Sequence, residues 1–156
     1  MSTRILHVVA NAQHGTALAE LVDAWRVLEA AGFEQLLVSP AGGAADVDVD
    51  SPAGRAWTED AARRVLLART AAPGQIDAGD FDAVVCAAGA DDDTVHASGG
   101  LERVVRGVAV DGGAVVAIGH ADCALVRLSG AADGARPIAV GAVEAARALV
   151  ARLATR

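Results

Sequence analysis

An apolar run of strand type, Ala114 to Ile118, stops at Gly119-His120, and the helix-competent stretch Ala121 to Val126 follows at once. A strand that turns sharply into a helix is the shape in which many enzymes expose a nucleophile, usually Ser or Cys, at the apex of the turn. The apex here is Gly119, which has no side chain. What such a turn still offers is the backbone N–H at Gly119, which can bind a substrate oxygen and steady negative charge developing on it. His120 follows directly. Its imidazole either hydrogen-bonds a substrate or satisfies backbone groups at the helix start.

The second candidate is Glu20, near the start of a helix that follows the first strand. Its neighbours by helical spacing, Ala17 and Ala24, are small and leave room around it. A half-buried carboxylate at a helix start can act as a general base. Alternatively it is a solvated side chain favoured by the helix dipole. Further polar groups fall on neighbouring loops: His14, the run Asp91-Asp92-Asp93 with His96, and Asp122. Three consecutive carboxylates more often cap a helix or face water than hold a cation, and no metal is expected. Cys123, one turn past Gly119, reads as a small buried hydrophobe or a displaced nucleophile. Cys86, at the end of a strand, reads as core or as a reactive thiol. Ala41-Gly42-Gly43-Ala44 lacks the Lys and Ser/Thr of a phosphate-binding P-loop, and no cofactor is expected.

The elements that must carry these residues alternate. Ile5 to Val9 reads as a buried first strand. Thr16 to Ala31 has helical periodicity, with Leu18, Leu21, Val22, Trp25 and Leu28 on one face and Gly32 as C-cap. Leu36 to Ser39 is a second strand stopped by Pro40, and the Gly- and Asp-rich stretch 41–52 is loop. Thr58 to Arg69 reads as a short helix with Thr58 as N-cap. A turn-rich stretch, 71–80, leads to a third strand, Ala83 to Cys86, and a polar loop, 87–98. Leu101 to Val110 is a helix ended by Asp111-Gly112-Gly113. Val115 to Ile118 is the fourth strand, Pro137 to Val140 a short last strand, and Ala142 to Ala154 a closing helix. Strands alternating with helices imply a doubly wound parallel sheet, in one domain over 1–156, with ligands at the carboxyl ends of the strands.

The chain has 156 residues, 53% of them hydrophobic but only 3% aromatic, so its core is built from small and β-branched side chains. The formal charge is −7, all 13 basic residues are Arg, and no basic cluster occurs. That balance argues against nucleic-acid and anionic-membrane partners. The opening apolar run is too short for a signal peptide or a membrane span, and two cysteines without metal-type spacing suit a reducing cytoplasm.

Several of these stretches together resemble the ThiJ/PfpI superfamily, in its glyoxalase III and heat-shock chaperone branch. Val38 to Gly43 is similar to the family's "SPAGG" strand and loop, Asp80 to Val84 to its "DYDAV", and Ala114 to Leu125 to its "xVAAVCHGPAAL" elbow. His14-Gly15 through Glu20 aligns with the stretch that supplies the family's active-site carboxylate. The resemblance implies a flavodoxin-like fold, commonly a homodimer, and a Glu, Cys and His site acting on small aldehydes, peptides or related compounds. Glu20 then matches the family acid and His120 the residue after the nucleophile, while Gly119 stands in place of the Cys. The family's "PGGHG" loop becomes Ala87-Ala88-Gly89-Ala90-Asp91, with one Gly in register. The expectation is an enzyme without the thiol. Glu20 and His120 are its catalytic residues. His14, Gly89, Asp91 and Gly119 surround a small carbonyl-type substrate. The alternative is a degenerate relative that only binds a metabolite or a protein partner.

Overall fold

In the computed structural model the described residues are 2–11, 18–45, 52–87, 97–118 and 141–156. Four strands, β1 (Arg4–Val8), β2 (Glu34–Val38), β3 (Ala83–Cys86) and β4 (Ala114–Ala117), pair in parallel in the order β2-β1-β3-β4. The inner strands are buried on both sides because both faces of the sheet are covered, as the continuous apolar runs require. Against one face pack α1 (Leu18–Ala30) and the closing helix, α5 (Ala142–Ala154). Against the other packs α4 (Gly99–Val110), through Leu101, Val104, Val105 and Val108. The doubly wound reading is thereby met, with helices on both faces.

Local chemistry accounts for most boundaries. Leu18, Leu21, Val22, Trp25 and Leu28 are all buried on the inner stripe of α1, and Gly32 follows the helix with φ 78°. Ser98 caps α4 by accepting from Leu101 N–H. One expectation is corrected. The segment from Thr58 to Arg69 is not one helix capped by Thr58. It is the end of α2 (Pro52–Glu59) followed by α3 (Ala61–Ala68), and the cap of α3 is Asp60, whose carboxylate accepts from Arg63 N–H at 3.0 Å. Thr58 lies inside α2, its hydroxyl donating back to Gly54 and Arg55 carbonyls. Pro52 starts α2 early because its missing N–H costs nothing in a first helical turn. The expected last strand over 137–140 lies outside the described residues.

The tie between α1 and the sheet is partly aromatic and partly polar. The Trp57 indole from α2 meets Trp25 edge-on at 5.5 Å, and the Arg63 guanidinium lies 5.6 Å over each ring while pairing with Glu29. Beneath Trp25 lies His7, fully buried in β1, with ring centroids 5.1 Å apart. His7 Nε2 is 2.7 Å from Gln35 Oε1, and the Gln35 amide N–H donates to the Trp25 carbonyl at 3.1 Å. The Gln35 oxygen can only accept, so His7 carries its proton on Nε2. The other nitrogen, Nδ1, is buried and has no hydrogen-bond partner among the described residues.

Burial, opposed in part by the Gln35 hydrogen bond, lowers the His7 pKa from 6.5 to about 4. An unfolded chain therefore takes up the proton at higher pH than the folded one. The contribution of neutral His7 is complete above about pH 6.5 and is lost as pH falls toward 4. We expect unfolding free energy to drop by about 3 kcal/mol across that window from this residue. Denaturant titrations at several pH values, read by the emission of Trp25 and Trp57, measure it. His7→Phe should flatten the slope between pH 6.5 and 4, and an unchanged slope would contradict the assignment to His7.

Candidate functional site

The register of the sheet levels its carboxyl ends. Val8 pairs with Val38 and with Cys86, and Cys86 pairs with Ala117. The ladder runs one residue further, with Val9 N–H donating to Val38, Ala87 N–H to Val8 and Ile118 N–H to Cys86. The exits of all four strands, at Val9, Ser39, Ala87 and Ile118, thus lie along one edge. Ligands of doubly wound sheets bind at such an edge.

Glu20 lies in the first turn of α1, the helix that follows β1, and is half-buried. It makes no ion pair or hydrogen bond among the described residues. Ala24, one turn on, is buried as its small size allows. A small apolar packing gap between α1, α5 and the sheet is lined by Ala24, Val85, Val116, Ile118, Ala145, Ala146 and Leu149. Of the predicted site residues only Glu20 falls among the described ones. His14, Gly89, Asp91, Gly119 and His120 lie outside them, as do Cys123, Asp122, Asp92, Asp93 and His96. Cys86 is fully buried in the α4-side core, which is its core reading rather than that of a thiol exposed to substrate. Among the described residues no group of three His, Cys, Asp or Glu side chains could hold a metal ion.

The edge also carries a polar network that spacing did not disclose. The Asn11 Oδ1 accepts from Ala41 N–H at 2.8 Å. Its Nδ2 donates to Ser39 Oγ at 3.0 Å, to the Gly42 carbonyl at 3.0 Å and to the Ala44 carbonyl at 2.9 Å. Because Ala41 N–H can only donate and the carbonyls can only accept, the orientation of this amide is determined. Thr70 Oγ1 donates to the Gly43 carbonyl at 2.7 Å, so the 2.6 Å contact between Ser39 and Thr70 has the serine hydroxyl as donor. One directed chain therefore runs from Asn11 through Ser39 and Thr70 to Gly43. The loop 39–45 is further stitched to 67–71 by backbone bonds, among them Gly43 N–H to Thr70 and Thr70 N–H to Gly43. A polar residue directly after a buried strand, as Asn11 is, was the one signal available for this network; nothing in the sequence pointed to Thr70.

The Gly42-Gly43 pair is a backbone requirement of that loop. Both residues have φ near +70°, at 68° and 69°. A Cβ on Gly42 would also lie 3.0 Å from Ala72 N, whereas one on Gly43 meets nothing. On the opposite face, an open groove of about 490 Å³ between residues 74–78 and Arg103, Val104 and Gly107 of α4 lies apart from α1. Gly42→Ala should destabilise by more than the roughly 1–3 kcal/mol that an unfavourable φ alone costs, and Gly43→Ala by about that amount. Equal unfolding midpoints for the two variants would contradict the close approach to Ala72.

The sequence pattern of the DJ-1/PfpI family matches residues 4–143. No curated protein matches the chain. Among solved structures, a ThiJ/PfpI domain protein from Brachyspira murdochii is 18% identical with a TM-score of 0.69, over 100% of this chain and 99% of that one. Glyoxalase III from Candida albicans is 19% identical with a TM-score of 0.61, over 76% of this chain and 57% of that one. DJ-1beta of Drosophila melanogaster is 25% identical with a TM-score of 0.60, over 86% of this chain and 63% of that one. The chain thus spans less than two thirds of the length of the last two.

Proposed function

The chain belongs to the DJ-1/PfpI family, and from that premise we propose that it is an enzyme working without the family thiol, on a small carbonyl-type metabolite. The family includes glyoxalase- and protease-like enzymes and chaperone-like proteins. What supports an enzyme is the half-buried Glu20 in the first turn of α1, the helix that follows β1, with no side-chain partner among the described residues to neutralise it. A carboxylate so placed can take a proton from the carbon beside a carbonyl and return it at a neighbouring atom. The electron pair left by that proton passes to the carbonyl oxygen. In this reading the backbone N–H at Gly119, or the imidazole of His120, steadies that oxygen, and His14, Gly89 and Asp91 line the substrate's approach. The reaction is of lyase, isomerase, hydratase or cyclase type. A cytoplasmic homodimer belongs to the same proposal.

Thiol attack is set aside on residue grounds. Gly119 has no side chain and Cys86 is in the core. The same Gly119 favours a second reading, a relative that has lost catalysis and binds a metabolite or partner. Turnover of a panel of small carbonyl compounds separates the two. Glu20→Gln should lower the rate by about 10²–10⁴-fold, while Cys86→Ala and Cys123→Ala retain it. Full activity in Glu20→Gln would remove the acid/base reading. Absence of turnover, joined to a ligand-induced rise in Tm, would leave the binding protein.

A further inference from the structure

We propose that the groove between α4 and the turns before β3 binds a small zwitterion of the α-amino-acid class, on the face of the sheet opposite α1. Two short helical turns, Pro73–Gln75 and Ala78–Asp80, lie along α4. The approach is closest at two glycines. A Cβ on Gly100 would stand 2.9 Å from the Pro73 Cβ, and one on Gly107 2.6 Å from the Ala78 Cβ. Seven residues of helix separate those contacts by about 10 Å. Between them the walls part, and the groove of about 490 Å³ opens. That volume lies in the range of small-ligand sites. Helical spacing puts Gly100, Arg103, Val104 and Gly107 on one face of α4, so the two glycine contacts fix the wall that carries Arg103. The facing wall carries Gln75, Ile76 and Asp77. Val104 is buried and Ile76 half-buried, which makes the floor apolar. Arg103 and Asp77 bring opposite charges to this one groove without pairing. The Arg103 guanidinium makes no ion pair or hydrogen bond among the described residues, whereas Arg4, Arg63 and Arg106 are all paired. Asp77 accepts from Gly79 N–H at 3.0 Å through one carboxylate oxygen. Gln75 Oε1 accepts from Ala72 N–H at 2.9 Å, which leaves its amide N–H groups for a ligand. A molecule complementary to this set has a carboxylate for Arg103 and Gln75, an ammonium for Asp77 and an apolar body for Ile76 and Val104. Those are the parts of an α-amino acid with an apolar side chain.

Titration of the full chain with L-leucine, followed by NMR amide shifts, tests this. Leucine should shift the amides of 74–78 and 103–107 and saturate with a Kd of about 1 mM. N-acetyl-leucine lacks the cation and leucinamide lacks the anion, so each should bind about fivefold more weakly. Arg103→Gln and Asp77→Asn should each weaken leucine by about the same factor. Asp77→Asn keeps an oxygen that can accept from Gly79 N–H. Arg103→Lys retains the charge and should restore most of the binding. Arg106→Gln removes a cation of the same helix that does not line the groove, and should leave leucine binding as in wild type. Absence of saturable shifts in 74–78 would overturn the proposal. So would equal binding of the three compounds, or equal weakening by Arg106→Gln and Arg103→Gln. The three compounds probe wild type directly, so a variant that failed to fold would still leave the proposal decided. It stands apart from Glu20: lack of turnover on carbonyl compounds bears on that reading alone.

Discussion

The level parallel ladder is the constraint from which the rest follows. Its backbone groups are buried on both sides and must pair with one another, because water does not reach them. Pairing Val8 with Val38 and Cys86, and Cys86 with Ala117, leaves all four chains emerging at one height. Asn11, Glu20, Gly89 and Gly119 each follow one of those exits in sequence. The valines of β3 and β4, flanked by Ala and Cys, serve this ladder, and alanines on α1 and α5 allow both helices to sit close to it.

Two polar assemblies interrupt that apolar plan, and each joins parts that hydrophobic packing alone would leave free to slide. His7, Gln35 and the Trp25 carbonyl join β1, β2 and α1 below the edge. Asn11, Ser39 and Thr70 join β1, the loop after β2 and the strap before β3 at the edge itself. Hydrophobic contact is non-directional, whereas hydrogen bonds prescribe orientation. The polar ties therefore supply orientation where the apolar layers supply cohesion. His7 contributes this with a nitrogen unpartnered among the described residues, a burial that favours the neutral ring.

Family membership and the proposed chemistry pull in different directions. The DJ-1/PfpI pattern extends over residues 4–143, and the proposed reading puts Gly119 where the family's thiol is expected. In that proposal a glycine takes away the nucleophile but not the possibility of a backbone donor, and proton movement with charge stabilisation is the chemistry proposed in its place. The proposal assigns that chemistry to Glu20.

Alternating apolar runs, capping residues and glycine turns were enough to place β1, β3, α1 and α5 closely, because those signals are local and each is written within a few residues. Asp60 was the exception among caps. Thr58 is as suitable a residue type, but Trp57 anchors α2 against Trp25 and keeps Thr58 inside that helix. The family motifs also marked Glu20, whose place at the start of a helix is a local property. Tertiary structure alone decided that His7 is buried against Trp25, that Arg63 spans two indoles, and that Asn11 saturates its amide on a loop 28 to 33 residues away. Such partners are chosen by the register of strands and the seating of helices, and no pattern along the chain encodes a distance between residues so far apart.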